Sequence, residues 1–394
     1  MSEVSWEITS LSELGAFSRG KSKHRPRNDA KLFEGGKYPL VQTGDVKAAN
    51  LYITKNDSYY NDFGLKQSKL WPAGTLCITI AANIAETAIL SYPMCFPDSI
   101  VGFNANPEKS SELFVYYFFE YIKKEIQKSA SGSIQDNINI DYLSKMRIKV
   151  PEKKYQDKIV ELLSSIDKKI LLNNQINQEL KAMAKTLYDY WFVQFDFPDQ
   201  NGNPYKSSGG KMVYNPDLKR EIPEGWGVSK VGELQIATGK RDANFGTENG
   251  QYNFWTTANS PIKADEFSFE GKAILIAGNG NFYVNFTEGK FEAYQRTYVI
   301  QSEDENMLIF MYMACLQSVE KLRKGSNGSI IKYITIGDVN NIASPYNKKV
   351  VDEFVRIYSP LINLISKNKR QNQELIQLRD WLLPMLINGQ VRVE

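Results

Sequence analysis

The sequence predicts an α/β (α+β) protein made of two domains in a pseudo-two-fold repeat, separated by two long antiparallel coiled-coil helices. Three observations carry this expectation. Asn177-Gln178-Glu179-Leu180 recurs as Asn372-Gln373-Glu374-Leu375, a shift of 195 positions. The same shift lays Ile159, Leu162, Ile166, Ile176, Leu180, Met183, Leu187 and Tyr190 over Phe354, Ile357, Leu361, Gln371, Leu375, Leu378, Leu382 and Met385. These positions fall in steps of three and four, the a/d seam of a coiled coil. Asn173 falls on Asn368, so both segments carry a polar residue at a matching a position, which costs stability but fixes register and partner. The plainer alternative is two ordinary amphipathic helices in separate cores; a shared flaw at a shared offset argues for duplication.

Each half follows one plan. It opens on a tryptophan, Trp6-Glu7-Ile8 with Leu11-Ser12-Glu13-Leu14 and Gly225-Trp226 with Val231-Gly232-Glu233-Leu234, followed by a Gly-Lys pair, Gly20-Lys21 and Gly239-Lys240. β-type runs come next, including Gly74 to Ile80 and Lys272 to Ile276, bounded by Gly, Asn and Pro. Helical patches, Ser111 to Lys128 and Met307 to Lys324, precede the Gly-Ser turns Ser131-Gly132-Ser133-Ile134 and Asn327-Gly328-Ser329-Ile330. A strand-like exit ends at Pro151 and at Ser344-Pro345, and a long helix follows. The first, from about Tyr155 to Phe192, would run roughly 57 Å at 1.5 Å per residue; the second runs from about Lys349 to Met385.

An antiparallel pairing in which residue numbers sum to 544 would set Asn173 opposite Gln371 and Asn368 opposite Ile176. The Pro, Gly, Asn and Ser content of residues 196 to 222 reads as a connector rather than an element. The expected boundaries are 1–151 for the first domain, 152–195 for the first spacer helix and 196–221 for the linker. The second domain takes 222–345 and the second spacer helix 346–394.

Composition excludes several function classes. With 42% hydrophobic and 24% charged residues, the 394-residue chain is ordinary for a globular protein of two or three domains. No run suggests export or a membrane span, because the most apolar stretch, near Leu76 to Leu90, is interrupted by Asn83 and Glu86. Cys77, Cys95 and Cys315 form no C-x-x-C pair, and His24 is the single histidine. Disulfide scaffolds, structural zinc and histidine-based metal catalysis are therefore not expected. The net charge of +3 is mild, so a polyanion must be met by local patches.

One such patch is Arg19, Lys21, Lys23, Arg25 and Arg27, five charges within nine residues. A charge run of this kind is usually a solvated loop, but the second half places Lys240-Arg241 at the matching point. Gly15 to Ser22 also fits the P-loop pattern G-x-x-x-x-G-K-[ST]. Its context is wrong, since a P-loop needs a buried strand before it and a helix starting at its lysine. Further polar segments recur. Val41-Gln42-Thr43-Gly44-Asp45 matches Trp255-Thr256-Thr257-Ala258-Asn259, and Lys128 to Gln135 matches Lys324 to Ile331 with Lys332 beyond. Such residues are mostly turn formers, though Asn and Gln can read adenine and Arg guanine, while Lys meets phosphate. No catalytic set assembles. Asn203-Pro204-Tyr205 lacks one proline of an adenine-N6 methyltransferase motif, and His24 has no evident acidic orienter.

The two-fold repeat, the stretch from Asp196-Phe197-Pro198 through Lys206-Ser207-Ser208-Gly209-Gly210-Lys211-Met212 to Ile222-Pro223-Glu224-Gly225-Trp226, and the ending Leu382-Leu383-Pro384-Met385-Leu386-Ile387-Asn388-Gly389-Gln390-Val391 together resemble the specificity (S) subunits of type I restriction–modification systems. The resemblance covers essentially the whole chain. It implies a non-catalytic, cytoplasmic, prokaryotic subunit with two target recognition domains, each reading half of a split sequence in double-stranded DNA. The helices would set the gap and dock two modification (M) subunits, with two restriction (R) subunits joining. S-adenosylmethionine, ATP and Mg would lie on those partners, with no cofactor in this chain. The DNA contacts expected are Arg19, Lys21, Lys23, Arg25, Arg27, Thr43, Lys66, Gln67, Lys69, Ser133 and Gln135 in the first domain. In the second they are Thr238, Lys240, Arg241, Thr257, Asn259, Gln295, Arg296, Ser329 and Lys332. The helix-pairing residues expected are Ile166, Asn173, Ile176, Leu180, Leu187, Leu361, Asn368, Gln371, Leu375 and Leu382. The competing readings are a stand-alone DNA methyltransferase or nuclease, and a coiled-coil adaptor that binds only protein.

Overall fold

The computed structural model describes residues 4–132, 139–326 and 332–393. The chain forms two compact units. One runs to Asn174 and takes back the segment from Lys369 onward; the other is Gln175–Asn368.

In the first unit, β1 (Trp6–Ser10), α1 (Leu11–Leu14) and β2 (Gly15–Arg19) lead to β3 (Tyr38–Leu40), α2 (Thr43–Ala48), β4 (Tyr52–Ile53), β5 (Ser58–Tyr60) and α3 (Asp62–Lys66). There follow β6 (Leu70–Trp71), β7 (Leu76–Thr79), β8 (Thr87–Leu90), β9 (Met94–Cys95), β10 (Ile100–Ala105), α4 (Glu112–Gly132), α5 (Ile140–Lys145) and β11 (Arg147–Pro151), and then the long α6 (Lys153–Tyr188). One sheet has the order β2-β10-β7-β8-β4, a second β5-β3-β9-β6, and β1 pairs with β11. β7 and β8 are buried along their whole length, and the one polar side chain in each, Thr79 and Thr87, is hydrogen-bonded. α4 lays Phe114, Val115, Phe118 and Phe119 into the same core.

After α6 come a hairpin of β12 (Met212–Asn215) and β13 (Arg220–Pro223), then β14 (Gly227–Lys230), β15 (Gln235–Thr238), β16 (Tyr252–Trp255), β17 (Ile262–Ala264) and β18 (Phe269–Glu270). β19 (Ala273–Ala277), β20 (Val284–Thr287), β21 (Lys290–Ala293), β22 (Thr297–Gln301), α7 (Glu305–Gly325), α8 (Ile336–Asn340), β23 (Ala343–Tyr346) and α9 (Lys348–Ile387) complete the chain. Apart from β4, which has no counterpart among the described residues, the sheets repeat the first unit: β15-β22-β19-β20, β17-β16-β21-β18, and β14 with β23. The strand order of one half is thus rebuilt in the other, even to the parallel pairs β3·β9 and β16·β21.

The stretch read as a bare connector is an ordered part of the second unit. Phe197 stacks on Tyr205 at 4.8 Å and lies 4.9 Å from Trp226, and Asp196 accepts hydrogen bonds from the Ser207 backbone and hydroxyl. Its turn residues link short paired strands, so composition alone hid the hairpin.

α6 and α9 each give one stretch to each unit. Within the first, Arg379 reaches Asp167 and Asn372 meets Asn173, so the helices run antiparallel; within the second, Asn368 meets Asn177 and Phe354 packs on Tyr188. The expected a positions Ile166, Asn173, Leu180, Leu187, Leu361, Asn368, Leu375 and Leu382 are buried or half-buried. The expected d positions are displaced. Ile176 is only half-buried and Gln371 is exposed, while Met183 and Leu378 are 58% and 44% exposed. The residue after each d position turns inward instead: Leu163, Asn177 and Ala184 on α6, Tyr358 and Asn372 on α9. The helices must face a globular core as well as each other, and doubled apolar pairs such as Leu162-Leu163 let the stripe rotate by one residue.

Each unit also closes on its opening tryptophan. α9 ends at Gly389, whose φ of +71° is a left-handed helix stop, and a Cβ there would lie 2.7 Å from the Trp6 ring. In the second unit a π turn, Asp189–Val193, ends at Phe195 with φ +66°, against Trp226 at 5.8 Å.

Candidate nucleic-acid interface

The Gly-Lys pairs have a geometric cause. A Cβ on Gly20 would lie 2.1 Å from the Pro97 carbonyl oxygen, and one on Gly239 2.1 Å from that of Tyr294. Only glycine lets the chain leaving β2 or β15 pass so close to its neighbour. The next N–H then donates inward, Lys21 to Phe96 at 3.2 Å and Lys240 to Ala293 at 3.0 Å, and both lysine side chains are exposed. With the Gly20 and Lys21 N–H groups spent on Ile100 and Phe96 and no helix beginning at Lys21, the P-loop pattern has no phosphate cradle.

In the first unit Asp98 fastens the basic loop. Its carbonyl accepts from Arg19 Nε at 2.6 Å, and its carboxylate takes Arg27 at 2.5 Å and Arg25 at 3.6 Å. Arg25 and Arg27 stay 54% and 50% exposed, so these contacts order the loop while leaving the guanidinium faces open. Such exposed pairs contribute about 0–1 kcal/mol each. His24 bonds Asp29 at 2.8 Å, and this holds the Asp29 carboxyl below the usual carboxylate range. The segment after α3 is stitched on: Ser68 donates to the Lys21 carbonyl at 2.9 Å and Gln67 Oε1 accepts from the His24 N–H at 3.1 Å. The structure therefore gathers Arg19, Lys21, Lys23, Arg25, Arg27, Gln67 and Lys69, with Lys66 exposed on the last turn of α3. Gln67 fastens the loop through its Oε1, and Lys69 lies over the Trp71 ring at 3.8 Å. Thr43 opens α2 behind the Gln42–Asp45 capping box; among the described residues no hydrogen bond joins it to the basic loop. Ser133 and Gln135 lie outside the described residues.

The second unit repeats the frame with different side chains. Gln295 N–H bonds the Arg241 carbonyl at 2.9 Å and Tyr294 N–H that of Trp255 at 2.9 Å, which brings Lys240, Gln295 and Arg296 beside Thr257. Asn259 is exposed two residues further on, and Thr238 is exposed at the end of β15. Arg241 is committed elsewhere. It bonds the fully buried Glu292 at 3.2 Å and Glu266 at 2.6 Å, with Phe245 beneath it at 4.4 Å. A buried carboxylate needs such a partner, and Arg241 supplies it to Glu292. Lys332 is exposed beside Gly280, whose N–H bonds its carbonyl; Ser329 lies outside the described residues.

Sequence reasoning missed the β7–β8 and β19–β20 loops. The signal was present: Asn83 in one and Gly278-Asn279-Gly280-Asn281 in the other, at matching places after the buried strands. Among the described residues no group of three or more His, Cys, Asp or Glu is placed to hold a metal, and no helix is long and apolar enough to cross a membrane.

The family described as type I restriction modification DNA specificity domain matches residues 3–182 and 223–377, one stretch for each repeat. The chain belongs to this family. It is 26% identical to the MjaIX type I specificity subunit of Methanocaldococcus jannaschii, over 99% of this chain and 94% of that one. To the HindI type I specificity subunit of Haemophilus influenzae it is 22% identical, over 93% and 97%. The EcoDI specificity subunit of Escherichia coli is 33% identical over 44% of this chain and 40% of its own length. The fold is shared with a crystal structure of a type I restriction–modification S subunit from M. genitalium, with a TM-score of 0.60 at 15% identity over 98% and 97% of the two chains. Family membership makes the chain a specificity subunit of a type I restriction system, and its two mixed α/β units are the family's repeated domains.

Proposed function

We propose that this chain is the non-catalytic subunit that reads a bipartite sequence in double-stranded DNA, one half-site per unit. The observation that carries this reading is the frame built twice in one chain, with Gly20-Lys21 and Gly239-Lys240 in the same turn and different side chains around each. A shared frame with divergent loops suits two readers of unlike sequences. Exposed lysines meet phosphates and position the protein, while Gln295, Arg296 and the loop amides meet base edges. α6 and α9 set the unread gap and offer the docking site for modification subunits, which supply methyl transfer from S-adenosylmethionine. Restriction subunits add ATP- and Mg-dependent cleavage. The groups proposed for this chain bind and orient DNA; none of them forms or breaks a bond.

The test is to combine the chain with the modification subunits of its own system and map the adenines methylated. The reading expects a split motif of constant gap. Methyl transfer or cleavage by the purified chain alone, with methyl donor or Mg²⁺, would replace it with the stand-alone enzyme. Absence of salt-dependent DNA binding by the complex would favour the protein-only adaptor.

A further inference from the structure

The loops 80–86 and 278–283 are the same device in both units. Each is entered through one backbone bond, Ile80 N–H to Ser99 O at 3.0 Å and Gly278 N–H to Arg296 O at 2.7 Å. Each turns through left-handed backbone, at Ala82 (φ +46°), Asn83 (+29°) and Ala85 (+59°), and at Gly280 (+74°) and Phe282 (+53°). Non-glycine residues seldom hold that conformation, and such strain gathers at functional sites. Each is also tied by one helix: Gln127 of α4 donates to the Ile84 carbonyl at 2.9 Å, and Arg323 of α7 to the Asn281 carbonyl at 3.3 Å. Gln127 and Arg323 stand at equivalent places on equivalent helices, so a tie of different chemistry serves the same end.

The second loop sits among the exposed cations. The Arg296 carbonyl receives the Gly278 N–H and the Lys332 carbonyl the Gly280 N–H, and both basic side chains are exposed. Asn281 spends its amide N–H on the Tyr283 hydroxyl at 3.2 Å. The Asn279 carboxamide makes no hydrogen bond to any described residue. It keeps both the donor and the acceptor that a bidentate contact with adenine uses. In the first unit Lys47 bonds the Asn83 side-chain oxygen at 3.3 Å, which again sets a cation beside the loop amide.

We infer that these two loops are base-contacting elements, that Asn279 reads an adenine edge in the half-site of the second unit, and that Gln127 and Arg323 are positioning residues for them. The inference rests on the bipartite reading above. It is tested on the full chain in complex with its own modification subunit, by measuring methylation rates on duplexes varied one base pair at a time through both half-sites. Asn279→Ala should cut discrimination at one A·T pair about tenfold or more and leave the other half-site unchanged, which also shows that the protein is folded. Asn279→Asp should move the preference at that pair toward cytosine, whose amino group a carboxylate accepts. Arg323→Ala should weaken discrimination broadly across the same half-site only. Unchanged discrimination by Asn279→Ala, with the unsubstituted chain selective, overturns this inference alone. Loss of selectivity in the unsubstituted complex overturns the bipartite reading and this inference with it.

Discussion

The side chain of Asn173 donates to Asn372 Oδ1 at 2.8 Å, and the repeat of that contact, Asn368 to Asn177, spans 3.0 Å. All four carboxamides are buried. Within the first unit Asn173 also donates to Gln371 at 2.9 Å and Asn372 to Asn174 at 2.9 Å, so each unit holds its own buried carboxamide pair on the seam. Asn173 opposite Gln371 matches the sequence-based register; Asn368 meets Asn177 instead of Ile176, because the stripe is rotated by one residue.

Asn173→Leu should destabilise the first unit by about 1–3 kcal/mol, since Asn372 Oδ1 is left buried without a donor. Replacing Asn173 and Asn372 together by leucine should recover much of that loss while loosening register, because apolar pairs slide where amides do not. Urea unfolding midpoints check the first statement. Disulfide trapping at neighbouring seam positions checks the second, and equal trapping in both proteins would refute it.

Asp167, its side chain 11% exposed, ties two helices together within the first unit. It accepts Arg379 at 2.8 Å and the Tyr117 hydroxyl at 2.6 Å, and burial first, then this carboxylate, pushes the Tyr117 hydroxyl far above its ordinary range. Arg379→Ala should cost about 3 kcal/mol by stranding the carboxylate, and Arg379→Ala with Asp167→Asn should cost less. Calorimetric unfolding of the two variants decides this.

Arg241→Ala should behave in the same way in the second unit, through Glu292, whereas Lys240→Ala should leave stability within about 0.5 kcal/mol. Thermal midpoints alongside DNA affinity separate the two roles. A stable Arg241→Ala protein with altered base preference would return Arg241 to the set of base readers.

Lys21, Lys23 and Arg25 stand on an ordered, open loop. If each meets a phosphate as proposed, replacing it by alanine should lower the slope of log affinity against log salt by about one, equally on all sequences. Titrations of the complex at several salt concentrations test this, and an unchanged slope would leave the loop without a polyanion.

Cys77, Cys95 and Cys315 are buried. Burial pushes the Cys95 thiol up to about 11, and raises Cys77 and Cys315 as well. Thiol reagents at pH 8 should label none of them until denaturant is added; rapid native labelling would contradict the packing of β7, β9 and α7.

The duplication was legible in the sequence because tight constraints leave the same residue behind: the Gly20 and Gly239 close approach, the Trp6 and Trp226 packing, the seam asparagines. The seam phase was not, since Leu162-Leu163 and Leu382-Leu383 fit either rotation until a core is present. Nor could composition tell which arginines are free. Arg19 and Arg241 look alike in a basic run, and only tertiary contacts with Asp98 and Glu292 show how each is held. Asn83 and Gly278-Asn279-Gly280-Asn281 mark the two turns, but the strain in them was not legible, because Ala82 and Phe282 carry no turn signature.

If one chain carries two separate readers on a common frame, either reader can be exchanged without touching the other. This is tested most directly by replacing residues 227–346 with the matching segment of a relative and mapping methylated adenines made by the complex. The expected result is one new half-site, one unchanged half-site and the same gap. A change in both half-sites, or an altered gap with both half-sites kept, would contradict it.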